Sequence, residues 1–372
     1  MRHDGLIRTM AIKTLAFPIL VIGCIISFHG TSQVMPEIPV GTWRTHLSYR
    51  EIISLAMSAE RVYAATDMGI LIVDRNDNTL ATLNKLSGLS SSGISAIEYD
   101  TERGQLIVAY EDGNLDFIRE TEIVNFSRLM ELSTLSSAGI NDITVRGNFA
   151  YFPTAYGIVV FDLDKDEVKE TWRDLGAEGE SVGIEQVIFF GDSVAAASSK
   201  GVMTANTGDN LLDFAKWNHH DDGDLGTLVT SIAFFNDSIF AVVGGQGIYR
   251  RSGNTFVKTD ILPDRDVIAI DASENNLIIS AKDGVWLYDS QGDPEVITGE
   301  QIEAPRAALE EPPGTFWIAD SRNGLVSNVS GAFSSYLPNG PSFSKAFRLR
   351  FGDNRIFAVQ GGYSTSRTPL NR

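Results

Sequence analysis

The densest run of residues able to hold a metal or move a proton is His219-His220-Asp221-Asp222-Gly223-Asp224. Imidazole and carboxylate side chains ligate divalent cations. The spacing matches neither a calcium loop, with ligands at alternating positions and a closing Glu, nor two histidines one helical turn apart. The run reads first as a solvated acidic loop, with His219, His220, Asp221, Asp222 and Asp224 kept as weak metal candidates. A second run, Asp162-Leu163-Asp164-Lys165-Asp166-Glu167, is also rich in carboxylates, but Lys165 and the lack of a glycine weaken a calcium reading. No metal or other cofactor is expected.

Catalytic signatures are equally sparse. No nucleophile elbow, phosphate loop or dinucleotide fingerprint stands between a strand and a helix. The single cysteine, Cys24, lies in an apolar stretch near the start. Paired-carboxylate hydrolysis stays open, because 48 acidic residues offer many pairs and none stands out. Trp43, Trp172, Trp217, Trp286 and Trp317 could form a sugar-stacking platform, but packing between structural units is the commoner use of such residues. The chain is therefore read as non-enzymatic, with its ligand-binding residues unassigned.

The elements that must carry these side chains repeat. Arg61 to Asp74 reads as two strands joined by a tight turn at Asp67-Met68-Gly69, with glycine tolerating the positive φ of a reversal. Like hairpins turn at Gly113, Gly157, Gly201, Gly247, Gly284 and Gly324, at intervals of 44, 44, 44, 46, 37 and 40 residues. A period near 40 marks a repeat architecture. Before each hairpin stands a four-residue word with apolar ends: Ile52-Ile53-Ser54-Leu55, Ile94-Ser95-Ala96-Ile97, Ile140-Asn141-Asp142-Ile143, Ile184-Glu185-Gln186-Val187, Val229-Thr230-Ser231-Ile232 and Val267-Ile268-Ala269-Ile270. These suit tightly packed inner strands. The weakest copies are the fourth strand near Ile123 to Phe126 and the first strand near Ala307-Ala308-Leu309. A less regular fourth strand completes each unit, so the fold class is all-β, a seven-bladed propeller of four-stranded blades.

Three domains follow. Residues 1–32 read as a secretory signal peptide, with Met10 a possible start, an apolar run from Leu15 to Phe28 and the small residues Gly30-Thr31-Ser32. Val21-Ile22-Gly23-Cys24 also resembles a lipoprotein box, though Ile25-Ile26-Ser27-Phe28 is not a polar tether. Residues 33–341 form the propeller, with a strand-like leader over 42–49 that can close the ring. Residues 342–372 begin an eighth repeat, the incomplete start of a second propeller, as in a fragment of a longer chain. The full sequence carries a net charge of −18, and removing Arg2, Arg8, Lys13 and Asp4 with the signal peptide leaves −20. That charge argues against nucleic-acid partners. No segment of the mature chain is apolar enough to span a membrane.

The words Asn84-Lys85-Leu86-Ser87-Gly88-Leu89-Ser90-Ser91-Ser92-Gly93-Ile94, followed by the Gly113 hairpin, resemble propeller repeats of bacterial two-component regulators. Together with the leader Trp43-Arg44-Thr45-His46-Leu47-Ser48-Tyr49, they resemble the amino-terminal part of the PorZ family, a surface component of the type IX secretion system. The resemblance covers roughly residues 40–372. It implies two seven-bladed propellers and a carboxy-terminal sandwich domain, with this chain supplying the amino-terminal part only. It further implies a cell-surface or outer-membrane location, secretion-system partners including a sortase-like protein, and delivery of anionic lipopolysaccharide to that partner. The alternative is the periplasmic glycan-sensing propeller of a hybrid two-component regulator, and a third reading is a glycan-cleaving enzyme.

Overall fold

Six of the seven turn glycines open the third strand of a four-stranded antiparallel sheet, as in Gly69–Asp74, Gly157–Asp162 and Gly201–Asn206, and Gly113 stands two residues before Leu115–Ile118. The computed structural model describes residues 45–127, 129, 139–311, 314–342, 346–353, 355–360, 362–363 and 369–370. The signal-peptide reading, Cys24 and Trp43 lie outside these residues. Seven such sheets follow one another at 54–84, 94–126, 144–173, 184–220, 229–258, 267–297 and 305–336, here called blades 1 to 7. In every blade the four strands pair in chain order, so no blade borrows a strand from another.

Seven blades make seven seams, and each seam has its own apolar cluster. Blades 1 and 2 share Tyr63, Ile70, Ile97 and Tyr110; blades 2 and 3 share Phe117, Leu115, Phe152 and Phe161. The series continues through blades 3–4, 4–5, 5–6 and 6–7. The seventh cluster joins Trp317, Ala319 and Leu325 of blade 7 to Leu55, Val62 and Leu71 of blade 1, which closes the ring. A sheet covered on both faces needs continuous apolar strands, and this explains why Gln105–Tyr110 and Ser238–Val243 are buried at every residue. Each fully buried Leu, Ile or Val side chain contributes roughly 1.5–3 kcal/mol. Trp172, Trp217, Trp286 and Trp317 are all buried in seams, so none of the four offers an open stacking platform.

The leader closes the ring differently from expectation. Residues 45–50 form no strand. They pack Tyr49 into the blade 7–blade 1 cluster, and Ser48 Oγ donates to the Ser342 carbonyl at 3.0 Å. Arg50 donates to the Arg322 carbonyl at 2.9 Å, and Arg75 of blade 1 pairs with Glu311 of blade 7. A leader without a free sheet edge to join has only side chains and isolated carbonyls to bind, because each blade is already complete.

Two further details differ from the sequence reading. Gly69 does not have a positive φ. It is glycine because a Cβ there would lie 2.6 Å from the Leu83 carbonyl oxygen of the fourth strand. At Gly157 both causes act, with φ at +137° and a Cβ position 2.0 Å from the Trp172 carbonyl. In blade 3 the expected inner strand at Ile140 to Ile143 is reduced to a bridge between Ile140 and Thr154, and the regular strand is Thr144–Arg146. Its neighbour Pro153 has no N–H to give to the ladder, although Asn141 N still donates to the Pro153 carbonyl at 2.9 Å.

After blade 7, Ala346–Gly352 and Arg355–Gln360 form a hairpin. Its pairing skips one residue between Ala346 and Arg348. The inner strands of blades 2, 4, 5, 6 and 7 carry the same skip at their second residue. The hairpin therefore repeats the opening half of a blade.

Candidate functional site at the propeller hub

The inner strands of all seven blades enclose an axial cavity of about 400 Å³. Each strand presents to it the third residue of its four-residue word: Ser54, Ala96, Asp142, Gln186, Ser231, Ala269 and Ala307. Two residues further on, the cavity wall also includes Glu98, Thr144, Ile188, Asp271 and Leu309. The period of two in a strand puts both sets on the same side of the backbone.

Most of the polar hub residues stitch one blade to the next. Ser54 Oγ of blade 1 accepts from Ile97 N of blade 2 at 3.1 Å. Asn141 Nδ2 and Thr144 Oγ1 of blade 3 donate to the Ile184 and Val187 carbonyls of blade 4, each at 2.6 Å. Gln186 Oε1 of blade 4 accepts from Ile232 N of blade 5 at 2.8 Å. Ser231 Oγ of blade 5 donates to the Ile270 carbonyl of blade 6 and accepts from Ile270 N, both at 3.1 Å. Inner strands of adjacent blades splay too far apart to pair backbone to backbone, so short side chains satisfy the polar groups between them.

Three hub residues are acids: Glu98, Asp142 and Asp271. No Lys, Arg or His lines the cavity with them. Burial, then the charges of Asp142 and Asp271, pushes the Glu98 carboxyl up to about 8. Burial likewise pushes Asp142 up to about 7, with Asp271 adding to it, while the Ile143 amide and Gln186 oppose the shift. Asp271 is also raised by burial, yet its side chain keeps solvent contact. That exposure lets solvent screen part of the effect.

The expected metal candidates do not come together. His219 and His220 are neighbours on the outer strand Asn218–His220 of blade 4, so they point to opposite faces. His220 is buried, with Nε2 3.0 Å from Thr204 Oγ1 and Nδ1 3.1 Å from the Asn254 carbonyl. Burial lowers the pKa of both imidazoles. Asp221, Asp222 and Asp224 are exposed, and Asp224 accepts from the Tyr249 hydroxyl at 3.3 Å. Among the described residues no three His, Cys, Asp or Glu side chains are grouped to hold a metal. In the second carboxylate run, Asp162 pairs with Lys165, while Asp164 and Asp166 pair with Arg103 and Arg119 of blade 2. Asp164 and Asp166 thus fasten blade 3 to blade 2.

Sequence reasoning missed the hub acids. Their signal is faint but present: once the words are aligned, acids occupy the third position only at Asp142, and the position two further on only at Glu98 and Asp271.

The fold and its hub define a seven-bladed β-propeller with an axial cavity walled by polar inner strands. Residues 62–218, from the second strand of blade 1 to the fourth of blade 4, match the family model for the amino-terminal β-propeller domain of PorZ of the type IX secretion system. The PorZ resemblance read from the sequence is thereby borne out for this propeller. Among solved structures, the chain is similar to PorZ of Porphyromonas gingivalis, described as an essential bacterial surface component of that system. The TM-score is 0.70 at 20% identity, over 87% of this chain and 43% of that one. The chain thus spans less than half the length of that relative. The WD40 β-propeller domain of Doa1 aligns with TM-score 0.57 at 13% identity, over 78% of this chain and 94% of its own. The computationally designed Ika8 protein aligns with TM-score 0.53 at 16% identity, over 84% and 95%. At these identities the structural likenesses speak for the fold. Curated protein sequences give no significant match. No helix among the described residues is long and apolar enough to cross a membrane.

Proposed function

We propose that this propeller is a non-enzymatic binding scaffold of the type IX secretion machinery at the cell surface. In this role it helps deliver anionic lipopolysaccharide to a sortase-like partner. The observation that carries the reading is the family match over residues 62–218. The hub adds a constraint on where such a ligand docks. The cavity offers no Lys, Arg or His to pair with an anionic glycan, so the ligand belongs on an outer surface of the blades.

The reading makes three linked expectations. The native protein is labelled by a membrane-impermeant reagent on intact cells, it co-purifies with other secretion components, and it retains lipopolysaccharide carrying anionic polysaccharide. Cytoplasmic retention of the native protein would overturn it. Turnover of any polysaccharide in a panel, lost on replacing one carboxylate, would overturn the non-enzymatic part alone.

A further inference from the structure

The stitches around the hub are not evenly distributed. Blades 1–2, 3–4, 4–5 and 5–6 are joined by the side chains of Ser54, Asn141 with Thr144, Gln186 and Ser231. At the seam between blades 2 and 3 the equivalent word position is Ala96, which has no hydrogen-bonding side chain. Two residues on from it stands Glu98. The same place in blade 3 is held by Thr144, whose hydroxyl donates to the Val187 carbonyl of blade 4 at 2.6 Å. The residue matching Val187 in blade 3 is Ile143. A carboxylate cannot donate to a carbonyl, but a carboxylic acid can.

We propose that Glu98 is held in its protonated form and serves as the stitch from blade 2 to blade 3, in the role Thr144 plays one seam further round. The hub then tightens in mild acid and loosens in alkali. The charged groups facing Glu98 all favour the proton, and only the Tyr99 backbone N–H opposes them. Asp142 stands just before the inner strand of blade 3, Asp271 on the inner strand of blade 6, and Asp100 on the same strand as Glu98. The inner strands of blades 1, 4, 5 and 7 present to the cavity only uncharged residues, among them Ser54, Gln186, Ser231 and Ala307. The seam is short of polar partners in a second respect: Ser95 Oγ, on the same strand, is buried without a hydrogen-bond partner among the described residues.

The sign of the pH effect follows from linkage. A carboxyl raised in the folded state above its unfolded value binds a proton on folding. Stability therefore rises as pH falls through about 8, the value for Glu98, and through about 7, the value for Asp142. It levels off in the ordinary carboxylate range, near 4.

The test is equilibrium unfolding of the whole chain across this range, with Glu98→Gln and Glu98→Ala. For the unsubstituted protein the unfolding constant should fall by roughly tenfold or more between alkaline and mildly acid pH. Glu98→Gln carries a permanent donor, so it should lose the part of the slope centred near 8, keep the part that Asp142 contributes near 7, and be more stable than the parent in alkali. Glu98→Ala should also flatten the profile but be less stable than the parent in mild acid, since it has no donor. An unchanged pH slope in Glu98→Gln, or equal stability of the two variants, overturns the proposal. If a variant fails to fold, the parent alone decides by infrared spectroscopy: a protonated carboxyl band that persists above neutral pH and is lost near 8 supports the proposal, and its absence sinks it.

Discussion

Two sets of carboxylates in this ring are held in opposite ways, one buried within the blades and one only partly covered at the hub. Asp320, at the end of a blade 7 strand, is fully buried and accepts four backbone N–H groups, from Glu303, Ala304, Arg322 and Asn323, at 2.6–2.9 Å. Asp100 is likewise buried and receives Arg103 and the Gln105 amide. Asp116 receives Ser90 N, the Tyr110 hydroxyl and Asn125 Nδ2 at 2.6–2.8 Å. The hub acids Glu98, Asp142 and Asp271 meet one another and no cation. A carboxylate buried within a blade is thus a fastener surrounded by donors, while burial and like charge at the hub favour the protonated carboxyl.

The strongest way to break the comparison is Asp320→Ala. It strands four buried donors at the connection between blades 6 and 7, and should cost about 4 kcal/mol in denaturant unfolding. Asp320→Asn should recover part of that loss, because one carbonyl oxygen remains as acceptor. Next comes Arg103→Ala. It leaves Asp100 buried without its cation and also cuts the link to Asp164 of blade 3, for a loss of about 3 kcal/mol. Tyr110→Phe removes one donor from Asp116 and leaves the others in place. Its cost should be about 1.5 kcal/mol by the same measurement, and a loss as large as that of Arg103→Ala would show that Asp116 depends on the phenol alone. The smallest effect has the opposite sign. Asp271→Asn should stabilise the ring at neutral pH by less than about 1 kcal/mol, since solvent already screens that charge. A destabilisation there would mean that hub and blade acids are held alike after all.

Much of the fastening half of this comparison was legible in the chain. The glycine interval gave the blades, and even the weak copies fell where the pattern put them, at Ile123–Phe126 and Pro305–Glu311. Other features needed the assembled ring. The cause of Gly69 lies in a fourth strand that ends fifteen residues later, at Asn84, and no turn rule sees that approach. Pro153 interrupts the inner strand of blade 3 from the neighbouring strand, where its lost N–H matters only once the register is known. Glu98, Asp142 and Asp271 lie one, then three, blades apart along the chain, so only closure of the circle makes them neighbours. The His219-His220 pair shows the converse: adjacency in sequence, on a strand, guarantees separation to opposite faces.

The way the ring is shut has a consequence for how the gene could be rearranged. Every sheet is built from an uninterrupted segment, and Ser48 meets Ser342 where the first and last blades join. A short peptide bridging those two points would let the chain be cut instead in any exposed link between blades, such as Asp221-Asp222. The re-ordered polypeptide would still form all its sheets, whereas a propeller latched by a strand shared between its two ends would be split by the same operation.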